Sequence, residues 1–227
     1  MKILIKNIRS LDTSCLLTNA KPNYLDDSRW EKLQSLKIET DKLRSLTSGY
    51  LLHKMCENLK IENSQYSYGK NGKPYINGFE NVAFNLSHSG EYAVLAYSEI
   101  GSEKTSVNLS AESSSLYAIG VDIQQIRTLR ERMQERILHE NEQVPEGLSP
   151  EEETLFLNRI WCIKESYVKM TGDGLALDFR KIFIDFEKKR VSADNRPQAV
   201  FAEYNDLQGY VMAVCSLEPC DIQITEI

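Results

Sequence analysis

The chain has 227 residues, of which 41% are hydrophobic and 26% charged, with a formal net charge of −6. That is ordinary globular composition, with enough apolar surface for one large domain or two small halves. The acidic balance argues against general nucleic-acid binding, and no apolar run approaches the roughly 20 residues of a membrane span.

The opening MKILIKNIRSLDTS is too briefly apolar for a secretory signal and has no small-residue cleavage site, so it is read as a first strand. Five scattered cysteines, Cys15, Cys56, Cys162, Cys215 and Cys220, form no CxxC pair. They speak against zinc and against a disulfide framework, and for a reducing cytoplasm. Arg29, Lys32, Lys37, Lys42 and Arg44 make a local basic stretch. Residues 39–60 predict a helix: Leu43, Leu46 and Tyr50 recur at helical spacing, and Leu51, Leu52 and Met55 widen the stripe. QYSYGKNGKPYI predicts strand, turn and strand about Asn71-Gly72. NVAFNL and EYAVLAYS predict two more strands. The Ser87-His88-Ser89-Gly90 turn read between them offers hydroxyls, an imidazole and backbone N–H groups to a phosphate.

The polar, Ser-rich stretch EIGSEKTSVNLSAESSSLY is read as a linker. YAIGVDIQQI then predicts a strand and RTLRERMQERILHE a helix. An acidic loop ends in Ser149-Pro150 followed by glutamates, the signature of a helix start. A long helix is predicted over about 151–171, with strands at KIFIDFEKK, QAVFAEYN and GYVMAVCSLE. The order repeats: a long helix and then a run of strands, twice, with GEYAVLAYS matching GYVMAVCS. The expectation is therefore an α+β fold of two similar halves, 1–103 and 119–227, joined by a linker at 104–118. A site between the halves follows, and a monomer, since one chain supplies both walls of the cleft.

Two segments carry candidate chemistry. In WCIKESYVKMTGDGL, Trp161, Glu165 and Lys169 share one helix face, while Phe156, Ile160, Ile163, Tyr167 and Met170 form the core stripe. Gly172 suits a left-handed helix end and Gly174 a sharp turn. Taken alone, Glu165 and Lys169 are an i,i+4 pair worth about 0.2–0.5 kcal/mol. In GVDIQQI, strand alternation puts Asp122 and Gln124 on one face. An acid in an apolar strand is costly to bury unless it is paired or on a metal; the alternative is an aspartate capping the turn that follows. Asp122 with a helix glutamate would give two hard oxygen ligands suited to Mg²⁺.

GKPYI, FNLSHSG, GVDI and WCIKESYVKMTGDGL together resemble the 4′-phosphopantetheinyl transferases of the surfactin-synthetase-activating type, in motif order and approximate spacing. The resemblance spans roughly residues 29–178. It implies a pseudo-twofold pair of α+β halves with the nucleotide between them. It also implies transfer of the phosphopantetheine arm of coenzyme A to a serine of an apo acyl or peptidyl carrier protein, releasing adenosine 3′,5′-bisphosphate. Neither nucleic acid nor membrane is implied as a partner. By the resemblance, Asp122 and Glu165 hold Mg²⁺ on the pyrophosphate, and Glu165 helps remove the serine proton. Lys169 contacts phosphate, and Lys164 lines the same cleft. Ser87 and His88 contact coenzyme A, His88 through the 3′-phosphate. Lys73 and Pro74 flank the adenine, and Arg44 with Ser45 lies near the nucleotide. Arg29 and Lys32 match basic residues near the 3′-phosphate, and Glu142 falls where the family has a glutamate. Where family members carry a third acid, this chain has Gln124, whose amide can reach Mg²⁺ directly or through water. That departure keeps a rival in play, a non-catalytic coenzyme A or nucleotide binder on the same scaffold.

Overall fold

The computed structural model describes residues 1–18, 20–62, 65–99 and 118–227. The linker read at 104–118 lies outside the described residues except for Ala118.

In the first half, β1 (Lys2–Asn7) is followed by two short helices that the sequence reading did not assign, α1 (Ser14–Thr18) and α2 (Asp27–Ser35). The Asp26 side chain caps α2 by accepting the Arg29 N–H at 2.8 Å. The long helix α3 (Glu39–Leu59) matches its predicted span and ends on Lys60 in the left-handed region, φ 56°. Leu43, Leu51, Leu52 and Met55 bury its inner face against β1, β4 and β5. Strands β2 (Tyr66–Tyr68) and β3 (Pro74–Ile76) form the expected hairpin. β4 (Val82–Ser89) pairs with β5 (Tyr92–Glu99). Here the expectation needs correcting: Ser87, His88 and Ser89 are not a turn but the end of β4, each paired across to β5. The reversal falls at Gly90-Glu91, where Gly90 has φ 54°. Ser87 and His88 therefore project from opposite faces of a strand.

In the second half, β6 (Ile119–Gln125) precedes a helix shorter than predicted, α4 (Glu131–Ile137). The preceding residues stay extended because Asn158 grips Arg127, accepting its N–H at 3.4 Å and donating to its carbonyl at 2.8 Å. α5 (Pro150–Thr171) opens on a capping box between Ser149 and Glu152 and closes on Gly172 at φ 76°. Ile160, Ile163, Tyr167 and Met170 are buried as predicted, and Phe156 partly so. Strands β7 (Ile182–Asp185), β9 (Ala199–Tyr204) and β10 (Tyr210–Ser216) follow; β8 (Arg190–Ala193), between the first two, was not foreseen.

With β11 at Gln223–Glu226, the first sheet has the order β11-β1-β5-β4 and the second β6-β10-β9-β8-β7. In each, the strand that leads the half pairs antiparallel with the last strand of the hairpin series, β1 with β5 and β6 with β10. The matched segments GEYAVLAYS and GYVMAVCS thus hold equivalent places. One strand breaks the division: β11 (Gln223–Glu226) leaves the second half and runs parallel to β1 in the first sheet. Four layers result. α3 backs one sheet and α5 the other, and between the sheets lies an apolar seam of Ile3, Ile5, Val94, Val121, Ile123 and Met212. Even-numbered residues of β6 face α5, and Gly120 is pressed against its backbone. No helix among the described residues is long and apolar enough to cross a membrane.

Candidate active site

A cavity of about 720 Å³ opens where β4, β6, α3 and α5 converge. Between positions 160 and 170 of α5, only Trp161, Glu165 and Lys169 are less than fully buried, and all three line this cavity. The helix spacing that set them apart in the sequence is the spacing that aims them at the open space.

Asp122 is the centre of the polar network and is 2% exposed. Its Oδ1 accepts the Ser87 hydroxyl at 2.7 Å and the Lys169 ammonium at 2.6 Å, and its Oδ2 accepts Nε2 of Gln124 at 2.9 Å. Lys169 also donates to Ser87 Oγ at 2.9 Å. Asp122 is therefore paired, not capping a turn. The bland reading of α5 fails as well: Lys169 turns to Asp122 on the facing strand, not to Glu165 one turn back. Among the described residues Glu165 keeps no hydrogen bond or ion pair. Burial raises its pKa above the usual carboxylate value, the Asp122 charge adds to the rise, and Lys169 partly offsets it. This donor set suits a hard divalent cation. It offers two carboxylates at one wall, one of them short of positive charge, and leaves other positions to water or phosphate. Gln124 spends its amide N–H on Asp122, so only its oxygen is free for such an ion.

Basic groups line the rest of the cavity. Arg29 and Lys32 reach it from α2, and Arg44 with Ser45 from α3. Arg29 stacks over the Tyr66 ring at 5.2 Å, and among the described residues its buried Nε has no hydrogen-bond acceptor, the Asp26 carboxylate lying 3.7 Å away. Arg44 donates through Nε and Nη2 to the Gly90 carbonyl at 3.1 and 3.0 Å, tying α3 to the β4–β5 turn. Lys73 and Pro74 stand at the β2–β3 hairpin. The Lys73 ammonium donates to the Met170 carbonyl at 2.9 Å, and burial pushes its pKa down to about 8. His88 stands on the wall with its ring still open to solvent. Local desolvation lowers its pKa first, with the Arg44 and Lys169 charges adding to the effect.

One expected site residue, Lys164, is elsewhere, and Glu142, which the resemblance aligned with a family glutamate, is its partner there. Lys164 does not line the cavity: it is 0% exposed and points into the second half, because adjacent helix residues diverge by about 100°. Its ammonium donates to the Ile137 and Phe179 carbonyls at 2.6 and 3.1 Å and pairs with Glu142 at 2.6 Å. Glu142 in turn accepts the Ile184 N–H at 2.9 Å. The pair braces the loop before α5 against β7, behind the site. The sequence reading missed Asn71, which it took for a turn residue only. Its side chain donates to the Gly172 and Asp173 carbonyls at 2.9 and 3.2 Å and clips the hairpin onto the end of α5. Its left-handed backbone, φ 64°, is what the Asn-Gly pair had announced.

Known proteins match this chain across both halves. Residues 118–215 match a family profile described as the 4′-phosphopantetheinyl transferase superfamily, and residues 19–100 match one described as the N-terminal part of 4′-phosphopantetheinyl transferase. Among curated proteins, the 4′-phosphopantetheinyl transferase gsp of Aneurinibacillus migulanus is 28% identical over 184 residues, covering 78% of this chain and 70% of that one. The transferase ffp of Bacillus subtilis is 26% identical, covering 89% and 86%. The transferase Sfp of Bacillus subtilis strain 168 is 23% identical, covering 87% and 84%.

Proposed function

The chain belongs to the 4′-phosphopantetheinyl transferase family and is an enzyme of that class, and from that premise we propose that it moves the phosphopantetheine arm of coenzyme A onto a serine of an apo acyl or peptidyl carrier protein. The observation that carries the reading is the pairing, in one cavity, of an unpartnered carboxylate, Glu165, with an Asp122–Lys169–Ser87 cluster. Arg29, Lys32, Arg44 and Lys73 give the cavity the positive charge that a nucleotide with three phosphates requires, and His88 adds an imidazole to the same wall. Asp122 and Glu165 would hold Mg²⁺, which when bound neutralises pyrophosphate charge and polarises the phosphorus–oxygen bonds. Glu165 takes the proton of the carrier serine, directly or through water. The serine oxygen forms its bond to the β-phosphorus as the bond to adenosine 3′,5′-bisphosphate breaks. Lys169 meets the negative charge that grows on the departing phosphate. Positioning and charge neutralisation supply most of the acceleration in such transfers. In this reading the protein works in the cytoplasm as a monomer.

The test is direct. The protein is mixed with coenzyme A, Mg²⁺ and an apo carrier protein, and the carrier is weighed by intact mass. A carrier heavier by one phosphopantetheine arm is the expected result. Binding of coenzyme A without transfer would favour the non-catalytic binder, which Gln124 alone recommends. Neither binding nor transfer would overturn both readings.

Gln124 and Lys73 each yield a further prediction. Gln124→Glu restores the family's third carboxylate next to Asp122, so turnover should be kept and the Mg²⁺ requirement lowered; Mn²⁺ titration reads the affinity. A folded Gln124→Glu protein without activity would contradict this. Lys73 is charged below its pKa of about 8 and neutral above it. Affinity for the anionic coenzyme A should therefore weaken as pH rises through 8, by up to about tenfold per pH unit. Calorimetry on wild type and Lys73→Met checks it: the pH dependence belongs to the wild type and should vanish in the variant.

A further inference from the structure

We propose that Asn85, Ser87 and Ser89 form a side-chain comb that sets β6 in register against the first half, and that Ser87 is a positioning residue for Asp122 and Lys169, not a ligand contact. Among the described residues β6 is an edge strand, bonded to β10 on one flank only. Every second N–H along it leaves the other flank, where no strand of the described residues completes the ladder. Such donors cannot be left bare in the interior. On β4 three alternate side chains take them. Asn85 Oδ1 accepts the Val121 N–H at 3.0 Å, Ser87 Oγ the Ile123 N–H at 3.4 Å, and Ser89 Oγ the Gln125 N–H at 3.0 Å. The periods match because alternate side chains of one strand and alternate N–H groups of the other both recur about every 6.6–6.8 Å. Two polar side chains of the comb, Asn85 at 6% exposure and Ser87 at 6%, are buried where an apolar strand would ordinarily pack.

Ser87 carries the argument furthest. A hydroxyl donates once and accepts twice. Here the donor goes to Asp122, and the acceptor sites take Ile123 N–H and the Lys169 ammonium. Its capacity is spent within the protein, so no hydrogen bond remains for coenzyme A. The resemblance had placed Ser87 on the ligand; the geometry makes it the peg that fixes Asp122 and Lys169 from the opposite half of the cleft.

The kinetic arm of the test rests on the transferase reading above. Ser87→Ala should lower kcat by about tenfold or more while KM for coenzyme A stays within about twofold, and Ser87→Thr, which keeps the hydroxyl, should restore it. A raised KM with kcat unchanged would make Ser87 a ligand contact and overturn the proposal. The second arm needs no activity. Amide hydrogen exchange in Asn85→Leu should accelerate at Val121 by about tenfold or more, and Asn85→Asp, which keeps an acceptor oxygen, should restore protection. Ser89→Ala, at the less buried end of the comb, repeats the measurement at Gln125 with little risk to folding. Unchanged exchange at Val121 and Gln125 would sink the comb even in an active enzyme. If the wild type transfers nothing, the transferase reading falls alone and the exchange arm still decides.

Discussion

Glu165→Gln should cost about 10³-fold or more in turnover and at the same time raise the melting temperature of the metal-free protein. The first effect follows from its proposed work: the amide neither takes a proton nor offers a charged ligand. The second follows from the sign of its pKa shift. Burial, and then the neighbouring Asp122, raise the folded-state pKa of Glu165 above the unfolded value. For a carboxylate so shifted, the stabilising form is the protonated one, full below the unfolded pKa and lost as pH rises through the folded one. At neutral pH the charged group therefore destabilises the fold, and glutamine removes that cost. In a chain of this size each kcal/mol is worth roughly 2–4 °C. Asp122→Ala should abolish turnover as well, yet with the opposite effect on stability. It strips the acceptor from Ser87, Gln124 and Lys169 and leaves an ammonium at 26% exposure without its counter-charge. Losing one partner of a buried pair costs about 3–5 kcal/mol, and the partial exposure of Lys169 puts this case at the lower end. Melting curves in chelator, beside carrier-loading rates, read both quantities. Equal melting temperatures for the two variants would contradict the site as described.

Gly120→Ala should unsettle the whole second half from a residue that touches nothing in the cavity. A methyl group there would stand 1.9 Å from the Ser166 carbonyl oxygen and 2.5 Å from the Met170 nitrogen, both backbone atoms of α5. No rotamer change relieves such a contact, so β6 and α5 must separate. Overpacking of a core costs about 1–3 kcal/mol and more where backbone is the obstacle. With backbone as the obstacle the cost is about 3 kcal/mol, and the expected fall in melting temperature is roughly 6–12 °C. Asp122 lies two residues along β6 and Lys169 is adjacent to Met170, so the same shift stretches their 2.6 Å contact. Misplacement of reacting groups by about 1 Å can cost about 10²-fold in rate. An alanine variant with wild-type melting and turnover would show that the two backbones are not in contact.

Much of this was legible in one dimension. The apolar stripe of α5, its Ser149 cap, its Gly172 stop and the separate face of Trp161, Glu165 and Lys169 all follow from helix geometry, and the structure keeps them. The alternation of β6 put Asp122 and Gln124 on one side, and they are hydrogen-bonded there. The repeated order of helix and strands foretold two halves of like connectivity. The errors are of another kind. Lys164 was grouped with Glu165 because a motif is written as a line, although the helix turns them apart. Ser87 was assigned to a turn because FNLSHSG alone does not show that β4 runs on to Ser89. β11 was missed because a four-residue strand has no signal until β1 offers it an edge.

The order of residues is enough to say which of them share a face, since backbone geometry sets periods of 3.6 and 2 whatever lies opposite. Which faces meet is fixed by packing in three dimensions: Lys169 with Asp122 and not Glu165, Lys164 with Glu142, Ser87 with Ile123. Those partners lie 47, 22 and 36 residues apart along the chain. They are chosen by the packing of α5 on β6 and of β6 on β4, and that choice leaves no trace in the local pattern of either segment.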